Sequence, residues 1–123
     1  MLNSQEVKRG QIYYADMPDS FGSEQGGHRP VLIIQNNMVN KYSGTTLIAP
    51  LTTKRANSRL PTHVFVKAKE HSLACDSTAL LEQVRVIDRA RLKNYITHLD
   101  HSRMLEVNAA ISVSFGMDSP LTV

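Results

Sequence analysis

Apolar residues along this chain recur mostly in short runs at a period near two, and only once at helical spacing. Residues 11–16, Gln-Ile-Tyr-Tyr-Ala-Asp, are rich in β-formers and predict a first strand. A polar loop with Gly22, Gly26 and Gly27 follows. Residues 31–35, Val-Leu-Ile-Ile-Gln, are apolar enough to be buried on both faces and predict a second strand. Asn36, Asn37 and Asn40 break regularity, and Gly44 closes a turn. Residues 45–53 predict a third strand with Leu47, Ala49 and Leu51 on one face. Pro50 has no N–H to give, so this strand is expected to have a bulge or an edge there. Residues 54–61 form a basic loop ending at Pro61. Residues 62–67 predict a fourth strand and 78–87 a long fifth one, followed by a helical turn from Asp88 through Arg91 and Lys93. Met104, Val107, Ile111 and Phe115 make the helical stripe, predicting a helix near 101–115 capped by Asp100 and stopped by Gly116. Strands dominate and helices come late. The chain is therefore expected to be mainly β: a small, strongly bent sheet or barrel with a helix across it.

The 123 residues suit one domain spanning 1–123, with residues 1–6 as a loose polar tail. No run approaches the ~20 apolar residues a membrane helix requires. The N-terminus lacks the basic start and apolar centre of a signal peptide. Cys75 is the single cysteine; it makes no internal disulfide and is expected to be half-buried and inert, as suits a reducing compartment. A cytoplasmic protein is expected. The net charge of +3 is compatible with a polyanionic partner. Lys54, Arg55 and Arg59 crowd one stretch, and Arg85, Arg89, Arg91 and Lys93 another. On charge alone, both read most simply as solvated faces.

His28, His63, His71, His98 and His101 show no zinc-ligand spacing, and the glycines match no phosphate-loop or dinucleotide fingerprint. Neither a metal nor a cofactor is expected. Arg29 stands where the Gly-rich loop runs into the buried strand. Its fork of donors suits phosphate oxygens and suggests an anionic substrate, for which RNA is the candidate. Metal-free RNA cleavage needs a base, an acid and a group that neutralises the phosphorane's extra charge. Arg29 suits the last role, and Thr52 or Thr53 can donate to a phosphate oxygen. Arginine stays protonated at ordinary pH, so Arg29 reads as a stabiliser and possible proton donor rather than a base. Glu24, His28 or a water is left as the base. The plainer alternatives are Arg29 paired with Asp16, ordinary edge-strand threonines and a solvated Glu24. Gln83, in the long fifth strand, reads either as a group that hydrogen-bonds within the protein or as one that reads a base edge. Phe21 is the candidate stacking platform.

The segment Gly22-Ser23-Glu24-Gln25 through Arg29-Pro30-Val31-Leu32-Ile33-Ile34-Gln35 resembles the MazF/PemK (Kid-like) toxin family. So do Val7 to Tyr13, Ala49-Pro50-Leu51-Thr52-Thr53, Leu60 to Val64, Asp76 to Arg85 and Ile96 to Asp100, in the expected order over about residues 7–117. The resemblance implies a small SH3-like β-barrel with a C-terminal α-helix and short additional helices, forming a homodimer. It implies a metal-independent, sequence-specific endoribonuclease (an mRNA interferase). Such an enzyme cleaves single-stranded RNA to a 2′,3′-cyclic phosphate or 3′-phosphate and a 5′-hydroxyl. Arg29 and Thr52 fall at the family's catalytic positions, and Phe21, Ser23, Glu24, Gln25, His63, Glu82 and Gln83 in motifs that line the substrate groove. His28 and Thr53 stand beside them. The implied partner is a cognate, MazE-like antitoxin whose acidic disordered tail occupies that groove. The alternatives are the same barrel as a non-catalytic binding module for nucleic acid or protein, or a toxin redirected to gyrase.

Overall fold

The computed structural model describes residues 6–54 and 60–117. The basic loop at Arg55 and Arg59 and most of the expected tail lie outside the described residues. The elements run β1 (Gln11–Met17), β2 (Gly27–Ile33), α1 (Asn37–Tyr42), β3 (Thr45–Thr52), β4 (His63–Val66), α2 (Ala68–His71), β5 (Ser77–Leu80), β6 (Arg85–Asp88), β7 (Leu92–His98) and α3 (His101–Ser114). Short 3₁₀ turns occupy Leu81–Gln83 and Arg89–Arg91. The seven strands form an antiparallel sheet in the order β4-β5-β3-β2-β1-β7, with β6 also paired to β3.

Strand β3 is the hub. One edge pairs with β2, with Val31 opposite Pro50. Its other edge takes β6 along Thr45–Ile48 and then β5 along Leu51 and Thr52. The change of neighbour falls beside Ala49 and Pro50, where the 3₁₀ turn Leu81–Gln83 separates β5 from β6. The irregularity expected at Pro50 is thus taken up by the neighbouring strands, next to a residue with no N–H to offer a ladder.

Alternation along the strands feeds two apolar clusters. Ile12, Leu32, Ala49, Leu51 and Val64 join Val107 and Ala110 of α3. Tyr13, Ala15, Val31, Ile33, Ile48, Ile87 and Leu92 form the other. β2 and β3 contribute to both, which requires a sheet covered on each side. Helix α3 packs on β4 and on the Leu81–Gln83 turn. The Asp100 carboxylate caps it, accepting from the Arg103 N–H at 2.8 Å, and Gly116 at φ +72° ends it. Val107 is buried, Met104 and Ile111 are half-buried, and Phe115 at the foot of the stripe is exposed.

Several expectations change. The long strand 78–87 is two strands, because the chain turns away between them: Leu81 N–H donates to Thr62 O at 2.9 Å and buries its side chain. The helical turn at Asp88 lasts only through Arg91, and Leu92–His98 pairs with β1 as a strand the apolar pattern did not signal. The Asn-rich break is the short helix α1, with Asn36 as N-cap and Asn40 buried, its side chain bonded to Gln35 and Thr46. Cys75 is exposed, on the turn before β5, rather than half-buried. Among the described residues no helix is long and apolar enough to cross a membrane.

Candidate active site

Arg29 lies inside β2, opposite Ala15 of β1, because the strand begins at Gly27 rather than at Val31. Its side chain shares a face with Val31 and Ile33. The β2–β3 register, continued two residues beyond Val31 and Pro50, sets Arg29 opposite Thr52. Both side chains then extend the face on which Ile48 is buried. The guanidinium is oriented by backbone carbonyls: Nε donates to Gly26 O at 2.8 Å and Nη1 to Leu51 O at 3.2 Å. No ion pair among the described residues includes Arg29. Asp16, its alternative partner, instead contacts His28 Nδ1 at 2.9 Å and Lys93 Nζ at 3.9 Å. Thr52 is half-buried and its Oγ1 accepts from the Lys54 N–H at 3.2 Å, which leaves the hydroxyl hydrogen to donate outward. Thr53, the next residue, is exposed beyond the end of β3.

The loop that delivers Arg29 is closed on itself and tied from afar. Glu24 Oε1 accepts from the Phe21 N–H at 2.9 Å, and Glu24 N–H donates to Phe21 O at 3.1 Å. Phe21 projects from this turn, 84% exposed. Gln83 grips the loop with both ends of its amide: Oε1 accepts from the Gln25 N–H at 2.8 Å and Nε2 donates to Ser23 O at 3.1 Å. The within-protein reading of Gln83 is therefore the one observed. Arg85 Nη1 adds a bond to Gln25 O at 3.3 Å. Between loop and turn opens a cleft of about 490 Å³ lined by Ser23, Glu24, Glu82, Gln83, Val84 and Arg85.

Glu82 stands on the cleft with His63 behind it. Its carboxylate accepts from Thr62 Oγ1 at 2.9 Å and meets His63 Nε2 at 2.9 Å. The Leu60 N–H faces His63 Nδ1 at 3.4 Å, so an imidazole with its proton on Nε2 satisfies both contacts. Burial raises the Glu82 carboxyl. Hydrogen bonds from His63, from its own backbone N–H and from Thr62 outweigh that and hold it below its ordinary value.

His28 does not join this group. It is adjacent to Arg29 in a strand, so it points to the opposite face. There it stacks on Tyr14, with centroids 5.2 Å apart and planes at 1°, and contacts Asp16, whose carboxyl that hydrogen bond holds low. Arg85 and Val84 line the cleft but were not singled out as site residues. The signal for Arg85 was its place two residues after Gln83, on the same face of the strand expected over 78–87. Among the described residues, no three His, Cys, Asp or Glu side chains gather in a group that could hold a metal ion.

The family model described as "PemK-like, MazF-like toxin of type II toxin-antitoxin system" matches residues 8–115. The chain is 47% identical to Endoribonuclease EndoA of Bacillus subtilis over 111 residues, covering 90% of this chain and 96% of that protein. It is 45% identical to Endoribonuclease MazF of Staphylococcus epidermidis over 113 residues, covering 92% and 94%. The crystal structure of MazF from Deinococcus radiodurans shares the fold at a TM-score of 0.77, with 24% identity over 92% of this chain and 99% of that one. A match of this extent shows that the chain belongs to the PemK-like, MazF-like toxins of type II toxin–antitoxin systems.

Proposed function

We propose that the chain is a toxin that cuts single-stranded RNA without a metal, using Arg29 and Thr52 as its catalytic pair. One observation carries this reading. The Arg29 guanidinium is oriented by two carbonyls and neutralised by no carboxylate among the described residues, on the sheet face it shares with Thr52. Such a cation stabilises the phosphorane formed when the 2′-hydroxyl attacks the neighbouring phosphorus. Its N–H groups also lie ready for the 5′-oxygen that leaves. Thr52 donates its hydroxyl hydrogen to a phosphate oxygen and orients the group. Of the three candidate bases, Glu24 or a water is favoured for the 2′-hydroxyl proton, because alternation along β2 points His28 to the face opposite Arg29. Phe21 offers an exposed ring for a base to stack on. Ser23, Gln25, His63, Glu82 and Gln83 shape the groove.

The chain acts as one domain in the cytoplasm and as a homodimer, and a cognate antitoxin with an acidic tail blocks the groove. The family's description as the toxin of a type II toxin–antitoxin system supports that partner.

The test is incubation with RNA in EDTA, comparing the protein with Arg29→Ala, Arg29→Lys and Thr52→Ala. Arg29→Ala is expected to lower kcat by roughly 100- to 1,000-fold, as loss of a preorganised charge stabiliser does. Lysine, a point charge without the fork, is expected to restore little of it. The product ends should be a 2′,3′-cyclic phosphate or 3′-phosphate and a 5′-hydroxyl. Tight RNA binding with no cleavage, or full cleavage by Arg29→Lys, overturns the proposal.

A further inference from the structure

Arg85 opens β6 and pairs with Ile48 of β3. The alternation that buries Ile48 and Ile87 in one cluster carries the Arg85 side chain to the face of Arg29 and Thr52. The two guanidiniums end on consecutive carbonyls of one loop. Arg29 Nε donates to Gly26 O at 2.8 Å, and Arg85 Nη1 donates to Gln25 O at 3.3 Å. Neither enters an ion pair among the described residues. Two like charges on consecutive carbonyls, both outside any ion pair among the described residues, raise the positive potential at this end of the loop, and Arg85 also lines the cleft beside Glu24 and Glu82. Arg85 uses only Nη1 in this contact, and its remaining N–H groups have no protein partner among the described residues. A carbonyl bond holds one N–H of the guanidinium without cancelling its charge and leaves the rest of the fork for a phosphate.

We infer that Arg85 is a second phosphate-binding residue. It takes the backbone phosphate next to the one engaged by Arg29 and holds the strand in register without reading its bases. The inference rests on the proposal above that the cleft receives RNA. A residue that merely braced the loop would alter kcat or folding. A phosphate contact alters the salt dependence of binding, because each neutralised phosphate releases counterions.

The experiment measures the Kd of the full chain for a fluorescein-labelled single-stranded RNA of a sequence it cleaves. Methoxy groups replace the 2′-hydroxyls so that no attack occurs. Salt is varied from about 50 to about 200 mM KCl, the range over which phosphate contacts are best separated. For Arg85→Gln the slope of log affinity against log salt is expected to be shallower by about 0.7, so that its affinity falls roughly 2.5-fold less than that of the unaltered protein. Arg85→Lys should keep the original slope. A second, unrelated RNA should be weakened by Arg85→Gln to the same factor as the first. Arg85→Met, which keeps a long apolar stem, carries the same expectation should the glutamine variant fail to fold. An unchanged slope in the neutral variants, or a loss confined to one RNA sequence, overturns the inference and leaves the RNA proposal standing. If the unaltered protein binds neither RNA, the proposed function itself falls.

Discussion

At the scale of single residues, what holds a charged group decides what it can do. A carboxylate beside Arg29 would orient the guanidinium and neutralise it together. Gly26 O and Leu51 O orient it and leave its charge intact. Glu82 shows the converse arrangement, a carboxylate held by His63 and Thr62 and kept ionised. Its pKa is lower in the folded protein than in the unfolded chain. The stability it contributes is therefore present above the ordinary value of 4.5 and is lost as pH falls through the lowered folded value. Thermal unfolding across that acid window should show the Tm of the unaltered protein falling more steeply with pH than that of Glu82→Gln. Parallel curves would mean that the hydrogen bonds to Glu82 do not survive in solution. Residue type made Arg29 and either Thr52 or Thr53 legible as candidates, since a forked cation and a hydroxyl are what a phosphorane needs, and the family resemblance singled out Thr52. It could not exclude His28, whose removal depends on a strand beginning at Gly27 and alternating through Arg29. Nor could it show that Gln83 holds Ser23 and Gln25, contacts made 60 and 58 residues away.

At the scale of elements, the loop 21–26 and the turn 81–83 behave as one unit. Gly26 is where that unit is tightest. A Cβ there would meet Ser20 Cβ at 2.9 Å, Pro18 O at 3.0 Å and Ser20 N at 3.0 Å. Most of these atoms are backbone or close to it, so Gly26→Ala has to move the loop and with it the carbonyl on Arg29 Nε. Activity is expected to fall at least tenfold, because small misplacements of a catalytic group are costly. The midpoint of urea unfolding should fall much less. Unchanged kcat in the alanine variant would show that the Gly26 carbonyl does not set the Arg29 geometry. The strands of 11–17, 45–52 and 63–66 and the helix of 101–114 were legible because their apolar period matches their geometry. The break at Leu81–Gln83 was not. Its residues sit in a run of β-compatible sequence, and a bond from Leu81 N–H to Thr62 O overrides local preference. β7 was hidden for a related reason. Lys93, Asn94 and Tyr95 are exposed, and the strand crosses β1 with register shifts that erase a clean alternation.

For the whole molecule, the decisive fact is that β2 and β3 contribute to both apolar clusters. Neither cluster can lose its strands and leave the other intact. Unfolding in urea should therefore follow one transition, with helix circular dichroism, which reports α3, coinciding with tyrosine fluorescence, to which the buried Tyr13 contributes. Two separated midpoints would argue that the chain is not a single cooperative domain. The mainly β architecture with a late helix was visible from pattern alone, while the two-cluster arrangement depends on pairings between distant strands that no local window contains.

The clamp of Gln83 on Ser23 and Gln25 has a consequence for redesign. The loop proposed to meet the substrate and the turn that sets its shape are far apart in the gene and inseparable in the protein. Transplanting residues 21–26 from a relative with another cutting preference would import the letters without the scaffold that gives them their conformation. A chimaera that carries both stretches, 21–26 and 81–85, is the smallest cassette in which the preference can travel.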